Sequence, residues 1–304
     1  MGKLVFMFPG QGSQYIGMGK EFYDKIPVCK KVFDLAGEAS GLDVAKLCFE
    51  ENEQIHITEY TQIAMLTAEA AIFAALKEKG YVADVTAGLS LGEYAALIAA
   101  GVMEMEDAFA VIRKRGIYMQ NAYPTGGAMS AVLGMDYGII EEICENTEGT
   151  VSIANYNCPG QIVITGEKAA VDAAGVALKE RGAKRIVPLK VSGPFHSPML
   201  KKAGAQLGEA LKDVKIAEQF IPYVANVTAD YVTKAEEVKP LLEKQVAEGV
   251  RWQQSIERLI ADGADTFVEI GPGKTLSGFM RKINRNVTVY NIDKMEDFER
   301  YVDR

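Results

Sequence analysis

The sequence predicts an α/β fold: a large domain built on a mostly parallel sheet, with a small β-α-β-β-α-β unit inserted into it. Three observations carry this. Short apolar runs of strand length alternate with longer segments of helical period. Glycine or a Pro-Gly pair closes most of these segments. The alternation also changes after Pro124-Thr125-Gly126-Gly127, where two strands follow one another before the strand–helix rhythm resumes.

Residues 4–8 are a short apolar run ended by Pro9-Gly10, the pattern of a buried strand. Helical periodicity is clearest over 61–79, with Gly80 as its stop. Residues 84–88 form a second short strand, 93–100 a helix ended by Gly101, and 105–121 a third helix. Beyond the Pro-Thr-Gly-Gly turn, 128–133 is strand, 137–145 helix, 151–155 strand, and 161–166 strand after the Cys158-Pro159-Gly160 turn. Residues 169–181 are helical up to Gly182, and 185–191 form a strand. That order is ferredoxin-like, which predicts a subdomain at 125–191 and a discontinuous large domain at 1–124 and 192–304. The large domain resumes with a helix after Pro198, a strand near 221–226, a helix over 252–261, and a strand at 266–270 running into Gly271-Pro272-Gly273.

Apolar residues make up 48% of 304 and charged residues 24%, an ordinary balance for a globular chain with a substantial core. The net charge of −8 argues against a nucleic-acid binder, which needs Lys and Arg in excess along one face. Cys29, Cys48, Cys144 and Cys158 are scattered with no C-x-x-C pair, so neither a zinc site nor a redox dithiol is expected. Reduced, buried thiols fit a cytoplasmic protein. The run at 4–8 is too short for a signal peptide, and no stretch of about 18 apolar residues is present to span a membrane.

Gly88-Leu89-Ser90-Leu91-Gly92 matches G-x-S-x-G, with a strand running in and a helix running out. In that setting, shared with hydrolase-like α/β folds, the glycines permit a turn sharp enough to hold a serine hydroxyl in a cleft. The helix start also offers free backbone N–H groups to a developing anion. Ser90 is therefore the candidate nucleophile, and its base must come from two histidines. His56 follows the acidic Glu50, Glu51 and Glu53, precedes the helix that begins near Thr61, and reads as a surface or helix-entry residue. His196 sits in the rigid loop Ser192-Gly193-Pro194-Phe195-His196-Ser197-Pro198, where the chain leaves the inserted unit and can reach a cleft between domains.

The loop Pro9-Gly10-Gln11-Gly12-Ser13-Gln14 lacks the third glycine of a dinucleotide fingerprint, since Tyr15 stands there. It suits the presentation of a backbone N–H to an oxyanion. Gly273-Lys274-Thr275 has the look of a phosphate loop's end, but the first glycine of that motif would fall at Val268, inside a strand. Among Arg113, Lys114 and Arg115 on the third helix, Arg115 precedes Gly116, where a neighbour can approach closely. A guanidinium there gives a two-pronged grip on a carboxylate.

Five ordered motifs now stand out: FPGQGSQ at 8–14, GLSLGEYAAL at 88–97, KRGIYMQ at 114–120, GPFHSPML at 193–200 and EIGPGKTL at 269–276. Together, and across essentially the whole chain, they resemble the malonyl-CoA:acyl-carrier-protein transacylases of bacterial fatty-acid synthesis. The resemblance implies ping-pong acyl transfer through a malonyl ester on Ser90, with His196 as general base and malonyl-CoA as a substrate rather than a cofactor. It implies an oxyanion hole from the backbone N–H groups of Gln11 and Leu91, and Arg115 paired with the malonyl carboxylate. It also implies that the backbone carbonyl of Gln245 orients His196, so no buried Asp is expected. Leu89 stands where the family often has His, and Phe195 stands where related domains that take malonyl rather than methylmalonyl have Phe. No metal or organic cofactor is implied, and a monomer is expected.

The partner implied is an acidic, phosphopantetheinylated acyl carrier protein, for which Lys184, Arg185, Lys201, Lys202, Arg281 and Lys282 are candidate docking residues. Service to polyketide assembly is the alternative, since the same motifs would serve. An α/β-hydrolase esterase is disfavoured: that family has a His near the C-terminus and an HGGG-like loop, and here no histidine follows His196.

Overall fold

The structure, a computed structural model, describes residues 2–191, 193–218 and 220–304. Ser192, the first residue expected after the inserted unit, lies outside the described residues. The strands are β1 Lys3–Phe8, β2 Val85–Gly88, β3 Gly127–Leu133, β4 Val151–Cys158, β5 Gln161–Glu167, β6 Arg185–Pro188, β7 Tyr223–Val224, β8 Tyr231–Val232, β9 Ala264–Ile270 and β10 Thr288–Ile292. The helices ahead of β3 are α1 Lys20–Lys25, α2 Pro27–Ser40, α3 Val44–Phe49, α4 Thr58–Glu78, α5 Gly92–Ala100 and α6 Met105–Ala122. Then come α7 Tyr137–Asn146, α8 Lys168–Glu180, α9 Lys201–Leu211, α10 Ala235–Gln245, α11 Trp252–Ala261, α12 Thr275–Ile283 and α13 Met295–Val302.

Among the described residues the strands make two sheets. The larger runs β10-β9-β1-β2-β7-β8, parallel throughout except for the β7–β8 pair at its edge. Its central strands are apolar on both faces because helices cover both. Phe6 and Phe8 pack toward α4, while Val5 and Met7 pack with Trp252 of α11 and with Leu276 and Met280 of α12. Every residue of α4 from 61 to 76 is buried, which is why that segment is apolar all round and not on one stripe.

The smaller sheet, β4-β5-β3-β6, is antiparallel and is backed by α7 and α8 through residues such as Val132, Ile140, Val171 and Leu178. Counting β3 as its first strand, the order is 4-1-3-2, the ferredoxin-like arrangement expected from 125–191. Two differences have physical causes. β4 runs on to Cys158 instead of ending at Asn155, because register shifts at Ile153/Asn155 and Tyr156/Cys158 absorb the broken alternation. β6 stops at Pro188, short of residue 191, at the edge of its sheet; Pro188 has no N–H to donate, and one further bond, from Leu189 N–H to Met129 O at 2.9 Å, closes the pairing.

β4 of the smaller sheet is also tied to the segment between α10 and α11 of the larger unit. Tyr156 N–H donates to Val250 O at 2.9 Å, and Val250 N–H donates to Ala154 O at 2.8 Å. The cleft that holds the site lies between the two sheets. No helix of the described residues is long and apolar enough to cross a membrane.

Candidate active site

β2 runs into the turn at Ser90 and α5 leaves it. Ser90 is held at φ 56°, the left-handed region that side chains rarely adopt. The flanking glycines are required by close approach: a Cβ on Gly88 would lie 1.9 Å from Gly92 O, and one on Gly92 would lie 2.3 Å from Phe8 O. Asn226, just past β7, clasps the turn. Ser90 N–H donates to Asn226 Oδ1 at 2.7 Å, and Asn226 Nδ2 donates to Gly88 O at 2.6 Å.

His196 reaches the same point from its proline-bounded loop, also at φ 56°. Its Nε2 lies 2.8 Å from Ser90 Oγ. Its Nδ1 faces two backbone carbonyls, Gln245 O at 2.8 Å and Glu248 O at 3.2 Å. A carbonyl can only accept, so Nδ1 carries the hydrogen and Nε2 is the bare nitrogen facing the hydroxyl. Burial, reinforced by the nearby Arg115 charge, pushes the imidazole down to about 4. At neutral pH it is therefore the uncharged form, able to take a proton.

Arg115, on α6, is 1% exposed. Gly116 beside it packs against the backbone of Glu59 on α4, where a Cβ would come within 2.9 Å. The guanidinium donates to Gln62 Oε1 at 2.5 Å, Gln245 Oε1 at 3.0 Å and Ser90 Oγ at 3.1 Å, and its carbon lies 5.6 Å from the centre of the Tyr94 ring. No carboxylate among the described residues pairs with it directly, and its Nε has no partner there. Burial lowers its pKa.

These groups open into a cavity of about 390 Å³ whose far wall is the antiparallel sheet, through Met129, Ala131, Asn155 and Val163. Gln11, Leu91 and Phe195 also line it, and so does Leu89. The amides of the turn are otherwise committed: Leu89 N–H to Phe8 O, Ser90 N–H to Asn226, Gly92 N–H to Leu89 O, and Glu93 N–H to Ser90 O. The Leu91 amide is the one left over, at the start of α5 and next to Ser90. His56 lies in a short 3₁₀ turn, exposed and outside this cavity.

The model of the family described as "Acyl transferase domain" matches residues 5–295. This chain belongs to the acyl transferase domain family. Among curated relatives, this acyl transferase is 45% identical over 304 residues to the "Malonyl CoA-acyl carrier protein transacylase" of Bacillus subtilis, covering 98% of this chain and 96% of that protein. Its fold matches the malonyl CoA-acyl carrier protein transacylase from Clostridium perfringens at a TM-score of 0.95 and 43% identity, covering 99% and 96% of the two chains. It matches a malonyl-transacylase solved in complex with its type II PKS acyl-carrier protein at a TM-score of 0.95 and 36% identity, over 99% of each.

The acyl transferase thus gathers Ser90, His196, Arg115, Gln11 and Leu91 around one cavity, with Gln245 buried behind Arg115 and His196. Sequence reasoning missed Gln62, Glu93, Asn226 and Glu248. Asn226 carried a usable signal, a polar residue just beyond a strand of a parallel sheet, where such sheets place their ligands. Glu93 carried none, because a carboxylate in a first helical turn is ordinarily read as a dipole partner. Gln62 was hidden inside an apolar helix.

Proposed function

We propose that this acyl transferase moves a malonyl group from malonyl-CoA to the phosphopantetheine thiol of an acyl carrier protein, through an ester on Ser90. The observation that carries the reading is a buried guanidinium without a carboxylate, 3.1 Å from a serine hydroxyl that faces a neutral imidazole. A buried cation is costly unless paired, and the malonyl carboxylate supplies the direct partner that no side chain among the described residues provides.

In the first half-reaction Ser90 Oγ attacks the thioester carbon while its proton passes to His196 Nε2. The resulting oxyanion is met by the backbone N–H groups of Gln11 and Leu91. The C–S bond then breaks, and CoA leaves as a thiol with the proton from His196. In the second half the carrier thiol gives its proton to His196, its sulfur attacks the ester, and Ser90 Oγ leaves and regains a proton. The carbonyls of Gln245 and Glu248, at 2.8 and 3.2 Å, support a transient imidazolium where a hydrolase would use a carboxylate.

The division at 125–191 belongs to the same reading: that unit walls the cavity, while the rest of the chain carries the dyad. Carrier docking is assigned to Arg281 and Lys282, because Lys282 Nζ donates to Gln161 Oε1 at 3.0 Å and Gln161 lines the cavity. Lys184 and Arg185 border a separate groove beside α8, and Lys201 and Lys202 are exposed on α9, so they are weaker candidates. Every group this scheme uses lies within a single chain, so a monomer suffices as the working unit. A cytoplasmic setting is supported by four free, buried cysteines, with burial pushing the Cys29 and Cys144 thiols up to about 12. No cofactor enters this scheme; CoA is a substrate.

Fatty-acid synthesis is the favoured setting. Polyketide assembly is the second reading, on the likeness to the type II PKS complex. Transfer rates to carrier proteins of the two pathways separate them. The specificity claim is tested by Arg115→Ala. It is expected to lower kcat/KM for malonyl-CoA on the order of a hundredfold or more while sparing or raising that for acetyl-CoA. Unchanged malonyl kinetics would overturn the assignment of Arg115.

A further inference from the structure

Behind Arg115 lies an anion that the reaction scheme does not use. Glu93, on α5, is 1% exposed, and its Oε2 accepts from Gln245 Nε2 at 2.6 Å and from Asn226 N–H at 3.2 Å. The same Gln245 side chain accepts from Arg115 through Oε1 at 3.0 Å, so one neutral amide spans a buried cation and a buried carboxyl. Its Nε2 also donates to Ser90 O at 3.0 Å, which ties the pair to the nucleophile.

We propose that Glu93 takes up a proton from solvent when the malonyl carboxylate reaches Arg115, so that one anion replaces another and the charge of the site stays constant. The inference rests on the reading of Arg115 as the carboxylate's partner. With substrate absent, Glu93 is the compensating charge for Arg115, relayed through Gln245. With malonyl bound, two anions would share one buried cation, which is the condition under which one carboxyl stays protonated. The malonyl group, in direct contact with the guanidinium, is the one held ionised.

Glu93 is suited to yield. Burial already pushes its carboxyl up to about 7, against the downward pull of Gln245, Asn226 and the Arg115 charge. Neutralising Arg115 removes part of that pull. The other titratable groups facing it stay fixed: burial raises the phenols of Tyr94 on α5 and Tyr223 on β7, leaving both neutral, and His196 in its loop is pushed down to about 4. Glu93 is therefore a positioning and charge-balancing residue, and it touches no substrate atom.

The sign follows from linkage. Above pH 7 free Glu93 is ionised and the malonyl complex binds one more proton than the free enzyme, so malonyl-CoA affinity falls by up to about tenfold per pH unit. Acetyl-CoA brings no carboxylate and shows no such fall.

The test is calorimetric binding of malonyl-CoA to Ser90→Ala at pH 8, in two buffers of different protonation enthalpy. Uptake of more than about half a proton is expected with malonyl-CoA and none with acetyl-CoA, which carries the same CoA phosphates. Adding Glu93→Gln should abolish the uptake. Zero uptake with malonyl-CoA, or uptake that persists in Glu93→Gln, overturns the inference. If Glu93→Gln fails to fold, the infrared difference spectrum of Ser90→Ala with and without malonyl-CoA decides: a protonated carboxylic acid band should appear, and its absence counts against Glu93. The reading of Arg115 is tested apart, by adding Arg115→Ala to Ser90→Ala. If malonyl binding survives that change, the parent reading fails; if it is lost while no proton is taken up, only the Glu93 inference fails.

Discussion

Ser90 and His196 share one backbone state, φ 56°, which costs a non-glycine residue about 1–2 kcal/mol. Such strain persists only where the surroundings over-determine it. For Ser90 the surroundings are Asn226, which satisfies one amide and one carbonyl of the turn. Asn226→Ala leaves both buried groups without that partner. It is expected to destabilise by about 2 kcal/mol or more in denaturant melts and to lower kcat more than it changes KM. For His196 the depressed pKa gives a second prediction. A base with an ordinary value near 6.5 would lose activity below that pH, whereas this one stays neutral down to about 4. The acid limb of kcat/KM should lie well below 6.5, read with acetyl-CoA to avoid the Glu93 linkage; a limb near 6.5 contradicts the burial argument. The same shift carries a stability cost: between 6.5 and about 4 the unfolded chain binds a proton that the folded one does not, so stability falls as pH falls through that window.

At the scale of elements, the turn between β2 and α5 tolerates no side chain at its two glycines. Gly88→Ala forces a Cβ to within 1.9 Å of Gly92 O, and backbone cannot move aside as a flexible side chain would. A loss of about 3 kcal/mol or more is expected, measured by thermal or denaturant melts, with activity lost in parallel. This turn was legible in the sequence because glycine spacing, strand and helix all pointed to it. Other elements were not. α4 begins at Thr58, ahead of the expected 61, with no side-chain cap to mark the start. α1, α2, α3, α10, α12 and α13 carry ordinary mixtures of charge and apolar residues, and β10 is a short strand at the sheet edge; no glycine pattern marks them as the one at 88–92 is marked. The candidate site was read from a serine in a glycine-flanked turn, a single plausible His, and an Arg within the ordered motif KRGIYMQ. The supporting shell of Gln62, Glu93, Asn226 and Glu248 consists of common residue types whose roles exist only once distant segments meet.

The whole molecule is two sheets, with β4 of the smaller one tied to the segment around Val250 and the candidate site in the cleft between them. An overall charge of −8 has to receive an acidic carrier protein, so the approach depends on local basic residues at the mouth. Arg281→Glu combined with Lys282→Glu should raise KM for the carrier protein severalfold, and more at low than at high salt. A salt-independent result would place docking elsewhere. The central claim is that Ser90 holds the malonyl group between two thiols. It is tested most directly by mixing the protein with malonyl-CoA without an acceptor, then measuring the intact mass and mapping the labelled peptide. One malonyl group on the peptide containing Ser90, absent in Ser90→Ala and discharged by adding carrier protein, is the result predicted. No covalent adduct, or a malonyl group carried on another residue, would contradict it.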